Sequence, residues 1–420
     1  MFLCRPAGAT ARFVGKAEGA RTKADDEDER SRTPIFLDPR SSCVDHTPRY
    51  PERTALMSEQ ELTVQVDDFL VMRRPPLTPE GKASTDKRDR INTDFLSRIA
   101  KPPAGGALSG AFICAHAPDY RGRPTLHYTE QDWQALFREL KEIGITTVIL
   151  QAAAWVDFRE CYYPSKLFSG FHTWNVLDPM VKASAAERMT LHLGAAGILY
   201  GHIELGAGAG DLQKAKAAAE REVKCHKELL ERYRGAFQGY YLAPETGFHE
   251  GINPGHYRCY HEFFKRVTNG VKAITPELPI LTSPYTTCCA GHEQEAVDCL
   301  TRLHDGCPIT AFAPQDSIGT FNNLPFLEKG LTIWKEVCRQ TGAEFWVNCE
   351  SFCIEDFGGP ICTIVPADFK RFAVQLDTAT RLGAKKLVSW EPPFFMAKEG
   401  GEAARGLRHA YLASRRPAGP

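Results

Sequence analysis

The chain has 420 residues, of which 43% are hydrophobic and 25% are charged, and these are ordinary values for a globular protein. Its 51 Lys and Arg nearly balance its 52 Asp and Glu, so no overall charge favours binding to nucleic acid or to an acidic membrane surface. No apolar run reaches the roughly 18–20 residues that a membrane helix requires.

The N-terminal residues 1–105 are predicted to form an extension that is mostly disordered. Residues 1 to about 55 are densely charged, as in "KADDEDERSRTP", and have little hydrophobic periodicity. Met57 opens "MSEQELTVQVDDFLVM", which is compatible with a short ordered element, and "RRPPLTPEGKASTDKRDR" is typical of a linker. The basic leader "MFLCRPAGATARF" lacks the apolar segment of a secretory signal, although it is compatible with a weak organelle transit peptide.

The 14 cysteines are scattered through apolar stretches, and no CxxC pair has the spacing of a zinc finger. This pattern predicts buried free thiols, which behave as small hydrophobic side chains. A chain of this kind without a secretory signal is expected in a reducing compartment, so we expect a cytoplasmic protein.

From residue 106 onward, apolar strands alternate with amphipathic helices. The predicted strands are 110–115, 146–151, 189–196, 237–245, 279–285, 309–316, 343–350 and 385–391. Thr129 is predicted to cap the first intervening helix, Gly144 to end it, and Asp211 to cap a later one. Eight such units predict one (β/α)8 TIM barrel over residues 106–415. The absence of G-x-G-x-x-G after the first strand weighs against a dinucleotide site.

Acidic residues end four of the predicted strands. Glu245 ends the fourth strand, Asp316 the sixth, Glu350 the seventh and Glu391 the eighth. Chemistry in such barrels occurs at the carboxyl ends of the strands. A pair of carboxylates suits glycoside hydrolysis: a separation of about 5–5.5 Å retains the anomeric configuration and about 6.5–9.5 Å inverts it. The fourth and seventh strands face each other across the mouth of a barrel, which favours Glu245 and Glu350 as the pair.

The segments "GYYLAPE", "FAPQDSIG" and "FWVNCESF" resemble motifs of a glycoside-hydrolase-like TIM-barrel family of unknown function, over about residues 107–400. The arrangement also resembles the retaining clan of TIM-barrel glycoside hydrolases, with its glutamates on the fourth and seventh strands. This resemblance implies that Glu245 is the acid/base, Glu350 the nucleophile and Asp316 an additional acid at the rim.

Several further residues are predicted to contact a carbohydrate, because sugars bury their apolar faces on aromatic rings and bond their hydroxyls to polar groups. Trp390 is the strongest of these, since related barrels stack the reacting sugar on a tryptophan at the eighth strand. The other predicted substrate contacts are Asp316, Asn348, Tyr285, Trp155, Glu391 and His116. Trp133 and Trp334 lie on predicted helices and are expected in the core.

Simpler and rival interpretations stay open. Glu245 is also compatible with a salt bridge to Arg258 or Lys265 at the rim. A divalent-metal-dependent sugar isomerase or lyase is a second hypothesis, in which His249 and His292 join the acids. A non-catalytic carbohydrate-binding protein is a third. The leading prediction is a glycosidase acting on a carbohydrate without a cofactor or a metal; the sugar, the linkage, the stereochemistry and the oligomeric state stay open.

Overall fold

A computed structural model describes residues 70–73, 79–115, 125–198, 205–207, 210–287, 289–355 and 361–415. The predicted disordered residues 1 to about 55 lie outside this part of the chain, and so does His116.

Strands and helices alternate through the described residues. The strands are β1 (Leu70–Arg73), β2 (Leu108–Ile113), β3 (Thr147–Leu150), β4 (Ala154–Trp155), β5 (Glu160–Cys161), β6 (His172–Thr173), β7 (Thr190–Gly194), β8 (Ala196–Gly197), β9 (Gly239–Leu242), β10 (Ile280–Thr282), β11 (Ala311–Phe312), β12 (Glu344–Phe345), β13 (Val347–Asn348), β14 (Phe352–Glu355), β15 (Ile361–Pro366) and β16 (Leu387–Ser389). The helices are α1 (Pro79–Ser97), α2 (Glu130–Glu142), α3 (Leu177–Ala186), α4 (Leu212–Tyr233), α5 (Phe248–Ile252), α6 (Pro254–Ile274), α7 (Glu293–Leu303), α8 (Leu327–Thr341), α9 (Phe369–Arg381), α10 (Pro392–Phe395) and α11 (Glu402–Ser414).

Nine parallel segments form the barrel sheet, in the order β12, β11, β10, β9, β7, β3, β2, β16, β13. The segments β12 and β13 are consecutive parts of the seventh barrel strand, on either side of Trp346. Because β12 pairs with β11 and β13 pairs with β16, this strand joins the two ends of the sheet. The predicted (β/α)8 TIM barrel is therefore confirmed, with β2, β3, β7, β9, β10, β11, β12–β13 and β16 as its first to eighth strands.

The first barrel helix, α2, has the boundaries that its sequence predicts. The side chain of Thr129 accepts a hydrogen bond from the backbone N–H of Asp132, whose own side chain bonds back to Thr129. This reciprocal pair satisfies N–H groups that have no partner within the helix. The helix buries Trp133, Leu136, Phe137 and Leu140. Gly144 follows with a φ of +88°, a conformation that glycine adopts at low cost.

Two hydrophobic cores position the site. The larger one lies between the barrel strands and the surrounding helices and includes Trp133 and Trp334, as predicted. The smaller one lies inside the barrel and contains Phe112, Ile149, Tyr241, Leu281 and Val388 from five different strands. Filled barrel interiors of this kind leave room for ligands only at the end of the barrel.

The structure corrects the interpretation of residues 73–90 as a linker, because α1 begins at Pro79 and continues to Ser97. Prolines suggested an interruption here, but proline is tolerated in the first turn of a helix. The helix also contacts the barrel: the side-chain oxygen of Asn92 accepts a 2.7 Å hydrogen bond from the backbone N–H of Leu324.

Two small sheets were not predicted. The segments β4, β5 and β6, in the connection after β3, form a four-stranded sheet with β8, which follows β7. The strand β1 pairs with a hairpin made by β14 and β15. These strands are short, and in β4 and β5 both residues are buried, so no alternation of polar and apolar residues marks them.

The described cysteines are all free, and most are buried, as the sequence predicts. None of the helices in the described residues combines the length and hydrophobicity needed to cross a membrane.

Candidate active site

A pocket opens at the carboxyl end of the barrel strands. Its volume is about 290 Å³ when the open solvent at its mouth is included. The lining residues come from or follow seven of the eight barrel strands: Phe112, Gln151, Tyr241, Glu245, Ser283, Gln315, Asn348, Glu350 and Trp390. Four predicted site residues, Glu245, Asn348, Glu350 and Trp390, therefore share one pocket.

Glu245 follows the fourth barrel strand and is partly exposed. The turn that carries it is bonded to the fifth strand, because the carbonyl oxygen of Thr246 accepts a 2.9 Å hydrogen bond from the N–H of Tyr285. The ring of Tyr285 passes close to Gly247, where an added Cβ would lie 2.4 Å from a ring carbon. Only glycine leaves room for this approach, so the sequence "PETG" fixes the position of Glu245.

Glu350 follows the seventh barrel strand and is completely buried, at 0% exposure. Its Oε2 accepts a 2.7 Å hydrogen bond from the N–H of Gly319, whereas its Oε1 accepts none from the described residues. Its carbonyl oxygen accepts bonds from Arg371 at 3.2 Å and Gln375 at 3.3 Å. The side chain therefore has one anchored oxygen and one available oxygen.

Asp316 is buried beside Glu350 but does not line the pocket. One of its oxygens accepts bonds from the N–H groups of Ile318 at 3.2 Å and Glu350 at 3.4 Å. The other accepts a 2.6 Å bond from the side chain of Gln375. Protein groups therefore bond to both oxygens of Asp316, and its predicted contact with substrate stays a prediction.

Burial and mutual repulsion control the protonation of this pair of acids. Burial raises the pKa of Glu350 well above its usual value, and the nearby Asp316 raises it further. Burial also raises the pKa of Asp316, against the lowering effects of the Gln375 hydrogen bond and the Arg371 charge. The pair therefore keeps a proton to higher pH than two exposed carboxyl groups would.

Trp390 and three amide side chains line the pocket walls. The indole N–H of Trp390 donates to Oε1 of Gln151 at 3.4 Å, and Asn348 donates to the hydroxyl of Ser283 at 3.1 Å. Gln315 donates to the carbonyl oxygen of Ser283 at 2.9 Å. The Oδ1 atom of Asn348 accepts no bond from the described residues.

The sequence analysis missed five residues that line the pocket: Phe112, Gln151, Tyr241, Ser283 and Gln315. A signal was present for the polar ones, because each follows an apolar run at a predicted strand end, as in "VILQ", "LTS" and "FAPQ". Phe112 and Tyr241 lie on strands in which successive side chains point alternately into the barrel and toward the helices. The sequence of a strand does not show which of its two faces points into the barrel.

Three other predicted substrate contacts do not line the pocket. The hydroxyl of Tyr285 donates a 2.5 Å hydrogen bond to Glu250, which turns it toward α5. Trp155 is buried in the small sheet, with its ring against that of Phe158. Glu391 is buried and accepts a 2.7 Å bond from the N–H of Cys114. These contacts hold the three side chains against other parts of the protein, and their roles as substrate contacts stay predictions.

The histidines proposed for a metal-dependent alternative, His249 and His292, do not line the pocket that Glu245 and Glu350 share. His292 is at the surface and bonds to Glu295, 3.0 Å away. His192 is buried in the barrel against Trp346, and burial lowers its pKa to about 4. Within the described residues, His249 instead lies in a group with metal-ligand spacing, together with Glu250 and His256.

The closed barrel defines this chain as a (β/α)8 protein, with an acid-lined pocket at the carboxyl end of its strands. Residues 108–399 match the profile of one family, and the chain belongs to that family, which is described as "Domain of unknown function (DUF4434)". No curated protein matches the chain significantly.

Three of the solved structures that resemble this chain are described as a fucosidase, a xylanase and a chitinase. A candidate alpha-L-fucosidase from Bacteroides thetaiotaomicron VPI-5482 is 21% identical, with a TM-score of 0.60 over 76% of this chain and 95% of that one. A family 10 endoxylanase from a sugarcane soil metagenome is 11% identical, with a TM-score of 0.41 over 72% and 87%. A chitinase from Chromobacterium violaceum ATCC 12472 is 9% identical, with a TM-score of 0.44 over 73% and 99%. At these identities the first likeness shows the fold alone, and the other two are too weak to argue from.

Proposed function

We propose that this protein is a glycosidase that cleaves a glycosidic bond with Glu245 and Glu350. The observation that carries the proposal is that both glutamates line one pocket at the carboxyl end of the barrel, together with Trp390. Two carboxylates over a common space are what glycoside hydrolysis requires, and an aromatic wall suits the apolar face of a sugar.

Glu350 is the proposed nucleophile. A nucleophile must keep a fixed direction beneath the anomeric carbon, and the bond from Gly319 to Oε2 supports this by anchoring one oxygen. The other oxygen, Oε1, is available for attack. Burial raises the pKa of Glu350 well above its usual value, and the guanidinium of Arg371 opposes this rise. The ionised form that attack requires is therefore reached at a higher pH than for an exposed carboxyl group.

Glu245 is the proposed acid/base. An acid/base must protonate a departing group and later deprotonate water, so it needs contact with the mouth of the pocket. The partial exposure of Glu245 supports this role, in contrast to the complete burial of Glu350.

In the first step, Oε1 of Glu350 bonds to the anomeric carbon, the glycosidic bond breaks, and Glu245 gives its proton to the leaving oxygen. In the second step, Glu245 takes a proton from water, the resulting hydroxide bonds to the anomeric carbon, and the bond to Glu350 breaks. The product keeps the anomeric configuration of the substrate, which NMR of freshly formed product tests. Net inversion would overturn the nucleophilic role of Glu350.

Hydrolysis of a panel of nitrophenyl α- and β-glycosides tests the function, and an α-L-fucoside is a reasonable first member. If both carboxylates take part in hydrolysis, Glu245→Gln and Glu350→Gln are each expected to lower kcat by several orders of magnitude while the protein stays folded. Glu277→Gln is the matched control, because Glu277 is exposed and outside the pocket. Cleavage that is unchanged in both pocket variants would overturn the proposal.

The rival functions give different products. A lyase leaves an unsaturated sugar, an isomerase leaves the glycosidic bond intact, and a carbohydrate-binding protein gives no product although it binds the sugar. Mass spectrometry of the reaction mixture distinguishes all three from hydrolysis, which adds one water per bond broken.

We infer that the activity operates in a reducing compartment, most simply the cytoplasm. Free cysteines in the barrel support this, because unpaired thiols are typical of reducing compartments. Fractionation of cells that express the full-length chain tests it, and recovery in an oxidising compartment would contradict it.

A further inference from the structure

His249, Glu250 and His256 form a compact group beside the turn that carries Glu245. His249 and Glu250 lie on α5, and His256 lies in the first turn of α6. One ligand atom from each of the three lies within 4.8 Å of the other two. The two imidazole rings are 5.0 Å apart, centre to centre, and almost perpendicular, at 81°.

The carboxylate of this group is held in a fixed direction by its neighbours. Its Oε2 accepts a 2.8 Å bond from the N–H of Gly247 and a 2.5 Å bond from the hydroxyl of Tyr285. Hydrogen bonds of this kind, made to a ligand from outside the metal's own coordination shell, orient metal-binding side chains in proteins. Tyr285 therefore has a role here that the sequence did not indicate.

Two of the three side chains are buried, where an uncompensated negative charge is costly. Glu250 is 2% exposed and His256 is 5% exposed. Among the described residues, no Lys or Arg forms an ion pair with Glu250, although burying a carboxylate without a compensating charge is costly. A divalent cation supplies that charge.

We propose that His249, Glu250 and His256 bind a Zn²⁺ ion. Two imidazoles and one carboxylate are a ligand set that zinc uses in proteins. Mg²⁺ and Ca²⁺ prefer oxygen ligands, so the two imidazoles favour zinc over either of them. Three protein ligands leave the fourth position of a tetrahedral ion for water. The ion links α5 to α6 and so stabilises the segment that begins at Glu245.

The site is independent of the two carboxylates assigned to hydrolysis, so it is tested by metal binding rather than by activity. Full-length protein freed of metal is titrated with ZnCl₂ by calorimetry, and bound zinc is counted by mass spectrometry after desalting. One zinc per chain is expected, together with a rise in Tm, because an ion that binds only the folded state stabilises it.

His249→Gln and His256→Gln are expected to weaken zinc binding by at least about 100-fold, since each removes one of three ligands. His261→Gln is the matched control, because His261 lies on α6 like His256 but bonds to the carbonyl oxygen of Leu303. Circular dichroism of the metal-free variants checks that they fold.

Two results would overturn the proposal: no stoichiometric zinc on the unmodified chain, or unchanged binding in both histidine variants. If a variant fails to fold, Co²⁺ added to the unmodified chain replaces that measurement. Bound Co²⁺ in a tetrahedral site is expected to absorb visible light intensely, and added Zn²⁺ is expected to abolish this absorption. If Co²⁺ gives no such absorption, the proposed site is contradicted.

Discussion

The N–H of Gly319 donates a 2.7 Å hydrogen bond to Oε2 of Glu350, across the gap between the loops that follow the sixth and seventh barrel strands. A Cβ on Gly319 would lie 2.9 Å from that oxygen and 2.2 Å from the carbonyl oxygen of Phe352. The absence of a side chain at this position therefore permits the hydrogen bond that orients Glu350.

Gly319→Ala is expected to lower kcat about 10-fold to 100-fold, because a hydrogen bond to a charged group contributes roughly 1.5–3 kcal/mol. Steady-state kinetics on a hydrolysed glycoside measures this. Gly406→Ala is the control, because a Cβ on Gly406 meets no atom within 4 Å. Equal kcat in Gly319→Ala and the unmodified protein would show that the bond does not orient the nucleophile.

Asp316→Asn is expected to move the acid limb of the kcat/KM profile to lower pH. The charge of Asp316 raises the pKa of Glu350, so a neutral amide lowers it, and the ionised nucleophile persists to lower pH. Gln375 can present its amide oxygen to the new amide after a flip. If the alkaline limb moves instead, Glu350 is the proton donor and the proposed roles of the two glutamates are exchanged.

Trp390→Ala is expected to lower kcat/KM about 10-fold to 100-fold, mainly through KM, because burying sugar surface on an indole contributes roughly 1.5–3 kcal/mol. Trp390→Phe should keep most of the activity, since it keeps an aromatic face. The control is Trp133→Phe, a core change on α2 that should lower Tm without changing KM. An unaltered KM in Trp390→Ala would remove Trp390 from the substrate contacts.

Glu222 gives the fold a pH dependence that does not involve the pocket. It is completely buried, accepts hydrogen bonds from Tyr240 and from the N–H of Ala196, and has a pKa that burial raises from 4.5 to about 7. The folded chain therefore keeps a proton that the unfolded chain releases, and the stability contributed by this group falls as pH rises between those two values.

Glu222→Gln removes this titration. Relative to the unmodified protein, its free energy of unfolding is expected to increase by roughly 3 kcal/mol between about pH 4 and pH 8. Denaturant titrations at several pH values measure the difference, and Glu277→Gln, on the surface, is the control. A difference that is constant with pH would mean that Glu222 is not protonated in the folded state at neutral pH.

The barrel and the positions of the acids at its strand ends are predictable from local sequence patterns. Eight apolar strands alternating with amphipathic helices predict parallel pairing, and Thr129 and Asp211 cap helices as their residue types suggest. Strand ends in a parallel barrel meet at one rim, so Glu245 and Glu350 were predictable as neighbours from their places after the fourth and seventh strands.

Which side chains face the pocket depends on tertiary contacts that the sequence does not reveal. Asp316, Tyr285 and Glu391 also follow or end strands. Hydrogen bonds with residues distant in sequence turn them toward Gln375, Glu250 and Cys114, respectively. The group of His249, Glu250 and His256 likewise depends on how α5 packs against the start of α6. The position of a strand can be read from the local periodicity of apolar residues. The direction of a side chain at the rim depends on partners that are distant in sequence and come close only in the folded chain, so the sequence alone did not predict that direction.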